Sequence, residues 1–203
     1  MLMKKKNPVK TKKARQKPPS AKLFTSYPRS HVLIYNASLI LHFFLAAYAI
    51  VVGYDFFWFK YLFGLFYLLF AFIHAYVILP LAICPHCPYF TLENACCVSG
   101  LNIVSVMITT KGSGKNFKTR AQSFSSYDSV FWLSILLPLP LVLPAFIINF
   151  SIKLLIACML LLASIAFRLF YLIPNISCAH CKAKTKCSHY RKMKAYLSLI
   201  KKR

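Results

Sequence analysis

The sequence is nearly devoid of acid. Asp and Glu together number 3 in 203 residues, at Asp55, Glu93 and Asp128. A hydrolase built on paired carboxylates needs two acids flanking one substrate bond. Magnesium and calcium need shells of oxygen ligands. Three scattered acids supply neither. Glycine is scarce too, with 5 residues. The one glycine-rich stretch, Lys111-Gly112-Ser113-Gly114-Lys115, lacks the full Gly-x4-Gly-Lys-Ser/Thr pattern and the preceding strand of a phosphate loop. It reads as a flexible basic turn.

Two other features are abundant. Hydrophobic residues make up 59% of the chain, and its formal net charge is +23. A soluble globule does not tolerate that much apolar surface, and a disordered basic protein does not carry it. Both figures fit if the apolar residues form long runs with the basic residues outside them.

Four such runs stand out, at 32–54, 56–83, 130–150 and 153–173. Crossing a hydrocarbon core of about 30 Å takes roughly 20 helical residues. The expected fold is therefore an all-α integral membrane protein with four transmembrane helices arranged as two hairpins. The hairpin turns fall near Asp55 and at 151–153. Pro80 closes the second run, and Pro138, Pro140 and Pro144 predict a kink in the third. The chain then divides into a disordered polybasic arm (1–31), a first hairpin (32–83) and a Cys-rich basic loop (84–129). A second hairpin (130–174) and a Cys- and Lys-rich tail (175–203) complete it.

Charge sets the expected orientation. Ten Lys or Arg precede the first run, four lie in the central loop and nine in the tail, whereas the short turns offer only Lys60 and Lys153. The positive-inside bias puts both termini and the central loop in the cytosol, at the cytoplasmic membrane or an organelle membrane. The 31 residues ahead of the first run are too long and too basic for a cleavable signal peptide. The basic run 4–22 is expected to meet the lipid bilayer through anionic headgroups. Nucleic acid is disfavoured, because no aromatic residue is interleaved before Phe24. A role within a larger membrane protein complex is also consistent with the aromatic load of 18 Phe and 12 Tyr.

The two halves repeat. A shift of 94 residues places Ile78-Leu79-Pro80 on Leu172-Ile173-Pro174 and Cys84-Pro85-His86-Cys87 on Cys178-Ala179-His180-Cys181. Each half reads as hairpin, Pro, three residues, then Cys-x-His-Cys, which suggests an internal duplication. Both motifs sit at exits of helices running the same way, so a duplicated hairpin would bring them together.

Two Cys-x-x-Cys pairs far apart in sequence supply four thiolates tetrahedrally. Zinc takes this set at about 2.3 Å, and an iron–sulfur cluster takes it equally. Reduced thiols are expected in the cytosol. Cys84, Cys87, Cys178 and Cys181 are the first candidates. Cys96, Cys97, Cys187, His86, His180 and His189 stand in reserve, and Lys182, Lys184 and Lys186 offset a tetrathiolate's charge. Three functions follow: a zinc-stapled membrane subunit or scaffold, an electron-transfer protein with an iron–sulfur centre, or a thiol–disulfide redox enzyme. Cys158, alone in the last run, reads as a packed hydrophobe.

Ionisable groups at membrane depth are often functional. His42 and His74 fall at matching depth on adjacent helices, a pattern that suits hydrogen-bonded core histidines, a quinone or proton site, or a bis-histidine haem b. Arg168 occupies the repeat position of His74, lies close enough to the end of its helix to snorkel, and is expected to be structural. Residues 98–108 are apolar but too short to span, which predicts an interfacial or partly buried segment.

Overall fold

The structure, a computed structural model, describes residues 23–55, 58–112, 133–182 and 184. The basic run 4–22, Asp128, Cys187 and His189 lie outside the described residues, as do Ser113-Gly114-Lys115 of the basic turn.

All secondary structure among the described residues is helical. Helix α1 is Arg29–Gly53, α2 is Lys60–His86, α4 is Leu133–Ile148 and α5 is Ile152–Cys178, with a short α3 at Leu101–Ile108. Helices α1, α2 and α5 are long and apolar enough to cross a membrane. Helix α4 is shorter than the expected third span, whose residues 130–132 fall outside the described set.

Helix ends follow local chemistry. Pro28 precedes α1, and its carbonyl accepts from the His31 and Val32 amides. A Pro there sacrifices a donor that would find no helical partner. Ser151 caps α5, its hydroxyl accepting from the Leu154 amide at 3.2 Å. The predicted kink in α4 is a break in regular winding at Leu137, immediately before Pro138. At the turn between α1 and α2, Lys60 forms an ion pair with Asp55 and holds that exposed carboxyl below its ordinary range.

Helix α1 is the central element. Against α2 it runs antiparallel: Phe43 packs edge-on to Phe72, and the Tyr76 hydroxyl donates to Asn36 Oδ1. Against α5 it also runs antiparallel, pairing Ser38 with Arg168 and Gly53 with Leu154. Small residues at the seams (Ala46, Ala47, Ala71, Ala145 and Ala157) are all buried and let backbones approach closely. The outside is the reverse of a water-facing surface. Large apolar side chains such as Phe66, Ile147, Phe150 and Met159 are more than 60% exposed, which suits lipid and not water.

The repeat has a structural counterpart. Helices α2 and α5 both widen to π winding, over Ile73–Ile78 and Phe167–Cys178. The two segments start at positions separated by the same 94-residue shift. In each, Pro80 or Pro174 lies downstream of the start. Proline has no amide to donate and its ring crowds the carbonyl four residues back; a wider turn moves that carbonyl aside.

Arg168 does not snorkel: it is 1% exposed, faces α1, donates to Ser38 Oγ at 2.7 Å and lies over the Tyr35 ring. Its Nε and Nη2 are buried without a hydrogen-bond partner.

Candidate cysteine centre

Because α2 and α5 are both antiparallel to α1, their Cys-x-His-Cys ends emerge at the same end of the bundle. Each motif forms the same tight turn. The Cys87 amide donates to the Cys84 carbonyl at 3.0 Å, and the Cys181 amide to the Cys178 carbonyl at 3.4 Å.

Between the turns lies a small second core, centred on buried Tyr27, Tyr89 and Ala95. Cys87 of the first motif and Cys181 of the second both pack against it, as do Cys97 and Phe24. Residues 24–27 act as a strap across this core. The Phe24 amide donates to the His180 carbonyl at 3.0 Å, and its ring stacks on the His180 imidazole at 4.3 Å. The Tyr27 amide donates to the Cys96 carbonyl at 2.8 Å, and its hydroxyl to the Ser177 carbonyl at 2.5 Å. Tyr89 completes the tie: its hydroxyl donates to the Phe24 carbonyl at 2.9 Å and accepts from the Lys182 amide at 3.1 Å. The arm expected over 1–31 is thus packed, at residues 24–27, against both motifs.

The reserve ligands divide. Cys97 is held by its backbone, its amide donating to Asn102 Oδ1 at 2.9 Å while Asn102 Nδ2 donates to the Ala95 carbonyl at 2.7 Å. Its thiol lies 3.3 Å from Ser99 Oγ. Cys96 directs its thiol toward the Cys97 carbonyl. His86 is covered by Gly112, whose amide donates to the Pro85 carbonyl at 3.1 Å; a Cβ on Gly112 would collide with the imidazole. Part of the expected flexible turn is therefore pinned to the first motif. Cys158 packs against the main core, away from the cysteine end.

Electrostatics mark the same gathering. Burial raises the Tyr27 phenol, and Cys181, Tyr89, Cys178 and Cys97 add to it as neighbours able to carry negative charge. Burial likewise pushes Tyr89 from 10.0 up to about 12, with Cys181, Cys87 and Cys97 contributing against the opposing bond from Lys182. Thiols of both motifs therefore act on one pair of phenols. Among the described residues, however, no three Cys, His, Asp or Glu side chains converge as a ready metal cage.

The Tyr89 shift has a measurable result. An unfolded phenol titrates near 10.0 while Tyr89 in place titrates at about 12, so the tyrosine tie contributes stability fully present below pH 10. That contribution falls as pH rises through this window, because the unfolded chain loses its proton first. Phenolate absorbance during alkaline titration should show Tyr27 and Tyr89 ionising late, with one late phenol fewer in Tyr89→Phe; an unchanged titration in that variant would contradict the assignment.

The two histidines considered for a haem b or quinone each hydrogen-bond within the bundle. His42 and His74 lie at similar levels, but His42 is wholly buried and turned to α4 and α5. Its Nε2 donates to the Ile135 carbonyl at 3.1 Å, and its Nδ1 sits 2.8 Å from Ser164 Oγ. Both nitrogens are hydrogen-bonded within the bundle. His74 Nδ1 donates to the Phe70 carbonyl of its own helix at 3.0 Å.

Among the described residues, fold and site together define an all-helical protein with three helices of membrane-spanning length and a cysteine-rich cluster at one end of the bundle. Comparison of the chain with protein-family models, curated proteins and solved structures finds no match.

Proposed function

We propose that the chain is an integral membrane protein whose cysteine-rich end holds a thiolate-ligated zinc ion, stapling two hairpins so that the protein serves as a subunit or scaffold of a membrane assembly. The observation that carries this reading is the arrival of two Cys-x-His-Cys turns at one end of the bundle, packing Cys87 and Cys181 against the same tyrosine pair. Cys84, Cys87, Cys178 and Cys181 are the proposed ligands. Closing a cage around the ion requires the turns to draw in on binding, as is common where a metal site orders its own ligands. Zinc is favoured over a cluster because the surrounding space is already filled by Phe24, Tyr27, Tyr89 and Ala95, and a structural zinc site needs only four sulfurs.

The proposed topology has four spans. Helix α4 would be the third, extended at its N-terminal side by residues 130–132, and the basic arm, loop and tail would lie in the cytosol. Lys182 and Lys184, close to the second turn, would offset the charge of the thiolates.

Elemental analysis and an optical spectrum of protein purified from membranes test the metal. Stoichiometric zinc in a colourless sample is expected. Broad brown absorption would replace zinc by an iron–sulfur centre. A metal-free sample with rapidly cycling thiols would replace the metal reading by a redox enzyme.

A further inference from the structure

Helix α3 is built inside out. Beside Leu101 at its start (7% exposed), its inward face carries Asn102 and Ser105, at 3% and 0% exposure. Asn102 bonds the Ala95 carbonyl and the Cys97 amide, and the Ser105 hydroxyl donates to the Pro80 carbonyl at 2.7 Å. The outward face carries Ile103, Val104, Val106, Met107 and Ile108, from 43% to 80% exposed. No polar side chain interrupts it. A helix at a water surface shows the opposite pattern, apolar inward and polar outward.

Its position says what covers that face. The Ser105–Pro80 bond fixes α3 beside the last turns of α2, a helix of spanning length. Its outer face therefore joins that of α2, where Val77 and Leu81 are 48% and 47% exposed. A groove of about 560 Å³ between α3 and the Pro88–Thr91 turn is lined by apolar Phe90, Ile103 and Met107 together with polar Glu93 and Asn94, and reaches Cys96. Gly100, at φ +72°, turns the chain sharply into the helix, and exposed Lys111 follows it. Eight residues rise only about 12 Å, too little to cross a bilayer.

We infer that α3 is embedded in the leaflet at the cysteine end, its apolar face against lipid acyl chains and its polar face bonded to the bundle. Asn102 links this lipid-borne helix directly to the Cys97 backbone, so the bilayer supports one wall of the cysteine end. The inference rests on the membrane reading and is independent of the metal.

The test places a single tryptophan at Met107→Trp in a chain carrying Trp58→Phe and Trp132→Phe, reconstituted in vesicles with brominated acyl chains. Expected is blue-shifted emission that loses most of its intensity to the brominated lipid and is nearly insensitive to aqueous iodide. Strong iodide quenching with no loss to brominated lipid overturns the inference. Should Met107→Trp fail to fold, Val104→Trp on the same face reports in its place. Zinc measured on the same sample separates the two ideas. A water-exposed α3 with full zinc ends only this inference, whereas a lipid-buried α3 without zinc ends only the metal reading.

Discussion

Cys84→Ser and Cys178→Ser should each strip most of the zinc, and to the same degree. Structural zinc binds with about 10–16 kcal/mol at neutral pH. Shared among four thiolates, that is roughly 3 kcal/mol each, or about two orders of magnitude in affinity for one lost ligand. Equality is the informative part. The two cysteines come from motifs 94 residues apart, and only a shared ion makes their losses match. Metal content after dialysis against a weak chelator gives the comparison, with Cys158→Ser as a control that should retain zinc, since its side chain packs in the main core. Loss in one motif variant and full retention in the other would sink the shared site.

The second large effect concerns helix approach. At an open helical position, replacing Gly by Ala stabilises by about 0.5–1 kcal/mol. At Gly53 the new Cβ would lie 2.7 Å from the Ala145 Cβ, and at Gly64 it would lie 2.7 Å from Val51 Cγ2 and 3.3 Å from the Ala47 carbonyl. Alanine has no rotamer with which to yield, and valine is stiff at χ1. Overpacking of this kind costs about 1–3 kcal/mol per site, which outweighs the propensity gain. The double variant Gly53→Ala/Gly64→Ala is thus expected to lose about 1–4 kcal/mol, read as a lowered unfolding midpoint in detergent. A raised midpoint would mean that the seams are looser than described.

Sequence and structure agree where the signal is local. The apolar runs mark α1, α2 and α5, with shifted ends, because helical hydrogen bonding continues past the hydropathic edge. Thus α1 begins at Arg29, three residues before the run. The third run was legible as apolar, but its prolines hid where regular winding starts. The direction of α2 and α5, and so the shared end for the two motifs, followed from counting hairpins. The strap did not. Phe24, Tyr27 and Tyr89 act through partners more than 60 positions away, and a tyrosine in a basic arm carries no local mark of that. The one available hint was the sudden appearance of Phe24 and Tyr27 after a stretch without aromatics. Sequence depth left open which way Arg168 and His42 face. Distance from a helix end gives height along the axis but not which way the side chain faces. Ser38 and Tyr35 claim Arg168, and Ser164 with the Ile135 carbonyl claims His42.

The paired π segments bear on how the sulfur atoms are aimed. Each residue of an α-helix advances the azimuth by about 100°, and π winding advances it by less, so every residue beyond Ile73 or Phe167 is rotated from where a regular helix would carry it. The compass bearing of each Cys-x-His-Cys turn is therefore set well upstream, inside the apolar layer, by how tightly two helices are wound. A change of winding in either segment would turn the thiol pair at the end of that helix, without any change in the turn itself.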